Sequence, residues 1–263
     1  MAKQWDDFLR GSGSCGHGVQ IYADVDDLAA SVATYFASGF ESGEPALIVA
    51  TPEHRALFAE RLAAAGWDAA AVEQEGLLVA ADAESLLSLI LEGEFPSAGA
   101  FERIVGGLLD ELAKRFPDRQ IRVFGELVDL LCERGDTEAA ISLEELWNSL
   151  AWSRRFSLLC GYRLDVFDRE SQVAMLPEVC RTHSHVLAAA DPARLAKAVD
   201  EALEEVLGTA EAGKVHLVVA RQLSEDRVPA PQLELMWVSA NLPALAEPFL
   251  ASARARYSAL APA

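Results

Sequence analysis

The sequence predicts an α/β fold of three layers, in which a mostly parallel central sheet is covered by helices on both faces. Two observations predict it. Short apolar runs of about five residues alternate with longer segments whose apolar residues recur at helical spacing. The runs are also apolar throughout, as at residues 46–50 (ALIVA), and this is typical of strands buried on both faces of a parallel sheet.

Each element of this fold is predicted by its local pattern. Strands are expected at residues 17–22, 46–50, 76–80, 121–126 and 156–162. Helices are expected at residues 24–40, 52–65 and 100–115, and over segments that begin near residues 82 and 136. The helix at residue 52 has the clearest boundaries. Thr51 is a good N-cap, Pro52 suits the first helical position, and Gly66 suits the position that ends a helix.

The chain divides into three parts. Residues 1–16, which contain Gly-Ser-Gly-Ser at 11–14, are expected to be a flexible segment. Residues 17–189 form the core, whose last portion, 168–190, is expected to be helical. Residues 190–263 are predicted to be a small α/β extension in the order helix, strand, strand, helix. Its first helix begins at Asp191-Pro192, its strands are expected at 214–223 and 232–238, and its last helix at 245–260.

The net charge and the composition limit the classes of partner and the location that we expect. The chain carries 41 acidic and 22 basic residues, a formal net charge of −19. So acidic a surface repels nucleic-acid phosphates and anionic membranes, so we expect neither partner. No apolar run is long enough to span a bilayer and no signal peptide is recognised, so a cytoplasmic protein is expected. The four cysteines have no CxxC spacing and are expected to be free thiols.

Several motifs in one order carry a family resemblance. They are HGVQIY (17–22), GEP (43–45), TPEHR (51–55), RVFGE (122–126), LEELWN (143–148) and FSLLCGY (156–162). Together they resemble the MEDS domain, the methanogen/methylotroph sensory domain of dichloromethane-responsive regulators. Residues 43–79 are also similar to the segment after the P-loop in RecA/KaiC-like ATPases. The resemblance implies a RecA/KaiC-like fold and a role in sensing small hydrocarbon derivatives or relaying signals.

The phosphate-binding loop of those ATPases is missing at its expected place. A P-loop requires glycines and a Lys between the first strand and its helix, whereas this chain has Ala-Asp-Val-Asp-Asp at 23–27. Asp24, Asp26 and Asp27 would repel a triphosphate. They either cap the helix, as acids at helix N-termini do, or bind Mg²⁺. We therefore expect no enzymatic activity and no cofactor.

Nine residues mark the expected binding site. Ligands of open α/β sheets bind outside the carboxyl ends of the strands. The candidates at those ends are Tyr22, Asp24, Thr51, His54, Arg55, Asp82, Gly125, Glu126 and Tyr162. Glu126 is the most informative of them, because a carboxylate in an apolar segment needs a partner, which His54 or Arg55 could supply.

The cysteines and histidines are a second group to weigh. Cys180 and His183 share a helical spacing, but His183 and His185 diverge by about 200° around a helix. Cys160, Cys15 and His17 lie elsewhere in the chain. Because no zinc-site spacing is present, a metal is not expected. Trp147 and Trp152 belong to an apolar stripe that favours core packing, and an exposed Trp there would indicate an interface.

The sequence therefore predicts a non-enzymatic sensory domain. It would bind a small-molecule ligand, or a signalling protein such as a separately encoded kinase or transcription regulator, at the carboxyl edge of the sheet. Two alternatives remain open. One is a nucleotide-binding switch or ATPase-like enzyme with a non-standard phosphate site. The other is an oligomerisation or adaptor module that forms a homo-oligomer.

Overall fold

A computed structural model describes residues 2–11, 15–222 and 228–261. The strands are β1 (His17–Ile21), β2 (Ala46–Ala50), β3 (Leu78–Asp82), β4 (Leu91–Glu92), β5 (Phe95–Pro96), β6 (Ile121–Gly125), β7 (Phe156–Tyr162) and β8 (His185–Leu187). The helices up to the middle of the chain are α1 (Ala2–Arg10), α2 (Val25–Glu41), α3 (Pro52–Ala64), α4 (Ala69–Gln74), α5 (Ala83–Ile90), α6 (Ala98–Phe101) and α7 (Gly107–Arg115). The others are α8 (Leu127–Glu133), α9 (Thr137–Ala151), α10 (Leu176–Thr182), α11 (Pro192–Leu207), α12 (Thr209–Gln222), α13 (Ala230–Asn241) and α14 (Pro243–Ala259).

The central sheet has six strands in the order β3-β2-β6-β7-β1-β8. All five neighbouring pairs are parallel, so the predicted α/β fold with a parallel central sheet is confirmed. Because the strands run the same way, their carboxyl ends lie along one edge of the sheet. Residues 50–51, 82, 125–126, 162 and 21–22 are therefore brought to that edge.

Each strand contributes to two cores because its residues alternate between the faces of the sheet. In β2, Leu47 and Val49 face one core, whereas Ala46, Ile48 and Ala50 face the other. Helices α1–α4 cover the second core and α5–α10 cover the first. The apolar run at 46–50 is thus buried on both faces, as the sequence predicts.

The predicted helix boundaries at Thr51 and Gly66 are confirmed. Thr51 caps α3 by accepting from the His54 amide, and Pro52 is in the first helical turn. Gly66 follows the end of α3 with a φ of 92°, which favours glycine. Asp191 caps α11 in the same way, accepting from the Arg194 amide.

The C-terminal extension corrects the sequence prediction. The two strands predicted at 214–223 and 232–238 are wrong over the residues described, because these segments lie in helices α12 and α13. The run Val215-His-Leu-Val-Val219 suggested a strand because of its β-branched residues. Its buried positions, however, are Ala212, Val215 and Val219, which have the spacing of a helix face. The described part of the extension therefore consists of helices α11–α14 and the short connections between them.

Two further expectations also need correction. Residues 168–190 are not all helical: after a π-helical turn at 171–175 and α10, the chain forms β8, which pairs with β1 at the edge of the sheet. The N-terminal segment, expected to be flexible, forms α1, and Phe8 and Leu9 of this helix are buried in the core next to α2. The Gly-Ser run at 12–14 lies outside the described residues.

A buried arginine fastens α1 and α2 to the sheet. Arg122 of β6 is 1% exposed and forms an ion pair with Glu44, with 2.6 Å between Nε and Oε2. Its guanidinium also donates to the carbonyl oxygens of Leu9, Tyr35 and Gly11, over 2.6 to 2.8 Å. One cation thereby supplies donors to the carbonyl oxygens at the end of α1 and joins them to the middle of α2.

None of the helices within the described ranges combines the length and the apolar character that a membrane crossing requires.

Candidate functional site

Glu126 is held at the carboxyl edge of the sheet by two donors. It follows β6, and its side chain is 3% exposed. Its carboxylate accepts from the backbone amide of Thr51 and from Nδ1 of His54, which lies 2.6 Å from Oε2. The hydrogen bond to Glu126 raises the pKa of His54. Of the two partners proposed from the sequence, His54 is the one in contact.

Asp129 lies beside Glu126 and is absent from the predicted set. It lies in the first turn of α8 and is buried. Its Oδ2 accepts from the hydroxyl of Tyr22 over 2.6 Å, and its Oδ1 accepts from the amide of Arg163 over 2.8 Å. Burial raises the pKa of Asp129 to about 6. Its sequence signal is an acid inside the apolar segment 127–131, the same signal that marked Glu126.

These groups line a cleft of about 460 Å³, which we call the acidic cleft. Its walls include Thr51, His54, Glu84, Glu126, Asp129 and Arg163. Most of these side chains are charged. The acidic cleft therefore suits a polar or cationic group better than a hydrocarbon.

Arg55 and Asp82 form a separate pair at the same edge. Arg55 Nη2 lies 3.9 Å from Asp82 Oδ2. Asp82 also caps α5 by accepting from the Ser85 amide over 2.8 Å. This pairing and capping account for the contacts of Asp82, whereas Arg55 Nε is buried without a hydrogen-bond partner among the described residues. Neither residue lines the acidic cleft.

A second, less polar cleft lies on the other side of Tyr22, between the carboxyl end of β1 and helix α14. We call it the α14 cleft; its volume is about 590 Å³. Apolar walls come from Leu164, Val166, Phe167, Ala188 and Ala189, with polar groups at the rim, including Asp24, Asp27, Arg163 and Arg194. Tyr22 lines this cleft and hydrogen-bonds to Asp129, so it separates the two clefts.

Contacts between α14 and the loop after β7 close one side of the α14 cleft. Arg254 forms an ion pair with Asp165 at 2.6 Å, with both side chains about half exposed. The rings of Phe167 and Tyr257 lie 5.6 Å apart. Exposed ion pairs contribute little to stability. The Arg254–Asp165 ion pair therefore contributes little to holding α14 against this loop.

The acidic loop after β1 acts as a helix cap. Asp24 Oδ1 accepts from the Asp26 amide over 3.0 Å at the start of α2. Asp26 forms an ion pair with Arg61 of α3 at 2.8 Å. The sequence left two roles open for these aspartates, helix capping and Mg²⁺ binding, and these contacts favour capping.

Gly125 and Tyr162 face away from both clefts. A Cβ on Gly125 would lie 3.4 Å from the indole of Trp147, so this glycine permits close packing of α9 on the sheet. The hydroxyl of Tyr162 donates to Oε1 of Glu144 over 2.6 Å. The predicted residues are thus split between the two clefts, the Arg55–Asp82 pair and the interior.

The partner of Tyr162 belongs to a buried polar group that we call the His–Cys–Glu cluster: His17, Glu144, Cys160 and His183. It lies between the sheet and helices α9 and α10. Burial, with a further contribution from Glu144, raises the pKa of the Cys160 thiol well above its usual range. Burial, with a further contribution from His183, lowers the pKa of His17. Residues that the sequence scatters are here in contact, whereas the Cys180 thiol and His185, which stacks on Phe8, lie outside the cluster.

Trp147 and Trp152 have opposite surroundings. Trp147 is buried against Phe101 and Phe156, as the apolar stripe predicts. Trp152 is 92% exposed beside a third cleft of about 610 Å³, at the opposite edge of the sheet, which we call the amino-edge cleft. This cleft is also lined by His17, Asn148, Ala151 and His183.

Comparison with known proteins finds one family. A family model described as "MEDS: MEthanogen/methylotroph, DcmR Sensory domain" matches residues 16–184. The match covers well over half of the chain and runs from the start of β1 to the start of β8. It contains the acidic cleft and all four members of the His–Cys–Glu cluster, and it excludes α11–α14. No curated protein matches the sequence.

Proposed function

The chain belongs to the MEDS family of sensory domains, and from this premise we propose that it is a non-enzymatic sensor that binds a small, largely apolar ligand in the α14 cleft. The ligand would displace α14, and the altered surface would be read by a separately encoded signalling protein, a kinase or a transcription regulator.

The composition of the α14 cleft is the observation that carries this proposal. Small-molecule sites are concave and mostly apolar, with a few polar groups that orient the ligand. The α14 cleft has this character, with Leu164, Val166 and Phe167 on one wall and arginines at its rim. It also lies at the carboxyl edge of a parallel sheet, where ligands of open α/β folds bind.

The position of α14 supports the relay. This helix packs on α11 and α13, so that a change in its docking would reach the rest of the helical extension. Over the cleft itself it is held by the Arg254–Asp165 ion pair, the Phe167–Tyr257 contact and Arg194, whose Nε donates to the Tyr257 carbonyl and whose guanidinium lies over the Tyr257 ring. A ligand that prefers the displaced position of α14 would shift the population accordingly.

The absence of glycines and a lysine from 23–27 supports a non-enzymatic role, because the backbone there offers acids where a nucleotide phosphate would need donors. The rival nucleotide-binding function predicts instead that ATP with Mg²⁺ binds.

Thermal unfolding of the full chain with a panel of compounds tests the proposal. The panel contains short-chain halocarbons, methylated amines, short carboxylates and ATP with Mg²⁺. A compound at a hundred times its Kd stabilises by about 2.7 kcal/mol, a rise in Tm of roughly 5–10 °C for a chain of this size.

Two matched variants locate the binding. Ala189→Phe fills the α14 cleft, and Ala151→Phe places the same ring in the amino-edge cleft. We expect an organic compound to stabilise the wild type and Ala151→Phe but not Ala189→Phe. Equal stabilisation of Ala189→Phe, stabilisation by ATP alone, or no effect of any compound would refute the proposal.

A further inference from the structure

The four side chains of the His–Cys–Glu cluster direct one donor atom each to a common point. His17 Nε2 lies 3.2 Å from Glu144 Oε2 and 3.3 Å from Cys160 Sγ. His183 Nε2 lies 3.4 Å from Glu144 Oε1. All four donor atoms lie within 4.8 Å of one another. A tetrahedron around zinc, with bonds of about 2.0–2.3 Å, has edges of roughly 3.3–3.8 Å. Small side-chain adjustments would therefore place an ion at the centre.

Hydrogen bonds outside the cluster set the orientation of both imidazoles. His183 Nδ1 lies 2.7 Å from the Val179 carbonyl oxygen, which can only accept, so Nδ1 carries the proton. His17 Nδ1 lies 3.0 Å from Asn148 Oδ1, and the Asn148 amide is oriented by donating to the Thr182 carbonyl. In the neutral rings, both Nε2 lone pairs point into the cluster. Metal-ligating histidines are held in this way, by a carbonyl or amide oxygen on the other ring nitrogen.

With both imidazoles neutral, the cluster has fewer hydrogen-bond donors than acceptors. Nε2 of His183 is fully buried and forms no hydrogen bond with any described residue. Tyr162 donates to Oε1 of Glu144. The single S–H proton of Cys160 cannot serve His17, Glu144 and His183 together. Buried lone pairs that face one another at 3.2 to 3.4 Å repel one another unless a cation, either an added proton or a metal ion, lies between them.

Charge and donor type identify the cation. A glutamate and a thiolate supply two negative charges, which a divalent ion neutralises within a site that is almost inaccessible to solvent. On binding, the Cys160 thiol would release its proton to solvent and a metal–sulfur bond would form. Two imidazoles, a thiolate and a carboxylate in tetrahedral array suit Zn²⁺ better than the oxygen-seeking Mg²⁺ or Ca²⁺.

We propose that His17, Glu144, Cys160 and His183 form a structural zinc site. All four positions come from the protein, which is typical of structural and not catalytic zinc. The ion would join β1, α9, β7 and the segment between α10 and β8. The amino-edge cleft, lined by His17 and His183, gives the ion access. This site is independent of the α14 cleft, and each proposal can fail without the other.

Zinc content and cobalt spectroscopy of the purified full chain test the site. We expect one zinc per chain by elemental analysis. Replacement by Co²⁺ should give the intense visible bands of a four-coordinate ion and a thiolate-to-cobalt charge-transfer band in the near ultraviolet. A Co²⁺ complex without the charge-transfer band would refute ligation by Cys160 even if no variant folds.

The chain offers matched controls. Cys160→Ser should abolish the charge-transfer band and weaken zinc binding at least tenfold in a chelator competition. Cys180→Ser removes a buried thiol outside the cluster and should leave both unchanged. Asn148→Ala should weaken zinc binding about 10–100-fold with the charge-transfer band retained, because Asn148 only orients His17.

His216→Ala controls for the other ligand-like group, Asp200, His216 and Glu234, which lies in the helical extension. We expect no loss of zinc in this variant. A chain that binds no zinc, or one whose zinc survives Cys160→Ser but is lost in His216→Ala, would overturn the proposal.

Discussion

Replacing Asp129 by Asn should stabilise the protein, and more so as the pH rises. The carboxyl is buried, and burial raises its pKa from 3.8 to about 6 in the folded chain. Because the folded pKa lies above the unfolded one, the folded state holds this proton more tightly. Its contribution to stability is complete below about pH 4 and is lost as the pH rises through about 6. An Asn keeps an oxygen for the Arg163 amide and carries no charge.

The magnitude follows from the difference between the two pKa values. At 1.36 kcal/mol per unit, a rise from 3.8 to about 6 corresponds to about 3 kcal/mol. Asp129→Asn should therefore match the wild type in free energy of unfolding near pH 4. At pH 7 the free energy of unfolding of Asp129→Asn should exceed that of the wild type by about 3 kcal/mol.

Urea denaturation of both proteins between about pH 4 and pH 8 measures this difference. Glu133→Gln is the matched control, because Glu133 lines the same acidic cleft but is exposed. Its effect should stay within about 0.5 kcal/mol at every pH. A difference between Asp129→Asn and the wild type that does not change with pH would refute the assignment of this titration to Asp129.

Three further substitutions test other contacts by urea denaturation at neutral pH. Glu126→Ala should lower the free energy of unfolding by about 3 kcal/mol because the partly buried Thr51 amide loses its acceptor and His54 loses its partner. Glu84→Ala, an exposed change in the same cleft, should cost about 0.5 kcal/mol or less. Arg122→Met should cost about 3–5 kcal/mol because Glu44 and three backbone carbonyls lose their guanidinium donor. Trp152→Ser should change stability by about 0.5 kcal/mol or less, since the side chain is 92% exposed.

A specific outcome would contradict each of these three predictions. Equal effects of Glu126→Ala and Glu84→Ala would show that the hydrogen bonds of Glu126 do not stabilise the fold. A tolerated Arg122→Met would show that the Arg122 contacts are not needed to hold α1 and α2. A large and concentration-dependent loss of stability in Trp152→Ser would place Trp152 in an interface between copies of the chain, as the oligomerisation alternative requires.

Local patterns predicted the parts of the fold that depend on neighbours in sequence. The run at 46–50 is apolar at every position, and only a strand buried on both faces explains that. The Thr51-Pro52 cap is likewise local. The strand prediction at 214–223 was wrong over its described residues. Val215, Val218 and Val219 favour a strand locally, whereas packing on α11 and α13 selects the helix.

The site was only partly predictable because its contacts are long-range. The predicted parallel sheet brings the carboxyl ends of its strands to one edge, and this predicts that His54 lies near Glu126. It did not show that Tyr22 reaches Asp129, 107 positions away, or that Tyr162 turns inward to Glu144. The His–Cys–Glu cluster lacks any local spacing, because its members come from β1, α9, β7 and the residue after α10. Only the β1–β7 pairing brings His17 and Cys160 together.

A dichloromethane titration followed by amide NMR would show whether the α14 cleft receives a small apolar ligand. We expect saturable amide shifts at residues 164–167 and 188–190 and along α14, which Ala189→Phe abolishes and Ala151→Phe preserves. Amide signals that do not move, or shifts confined to the amino-edge cleft, would contradict this prediction.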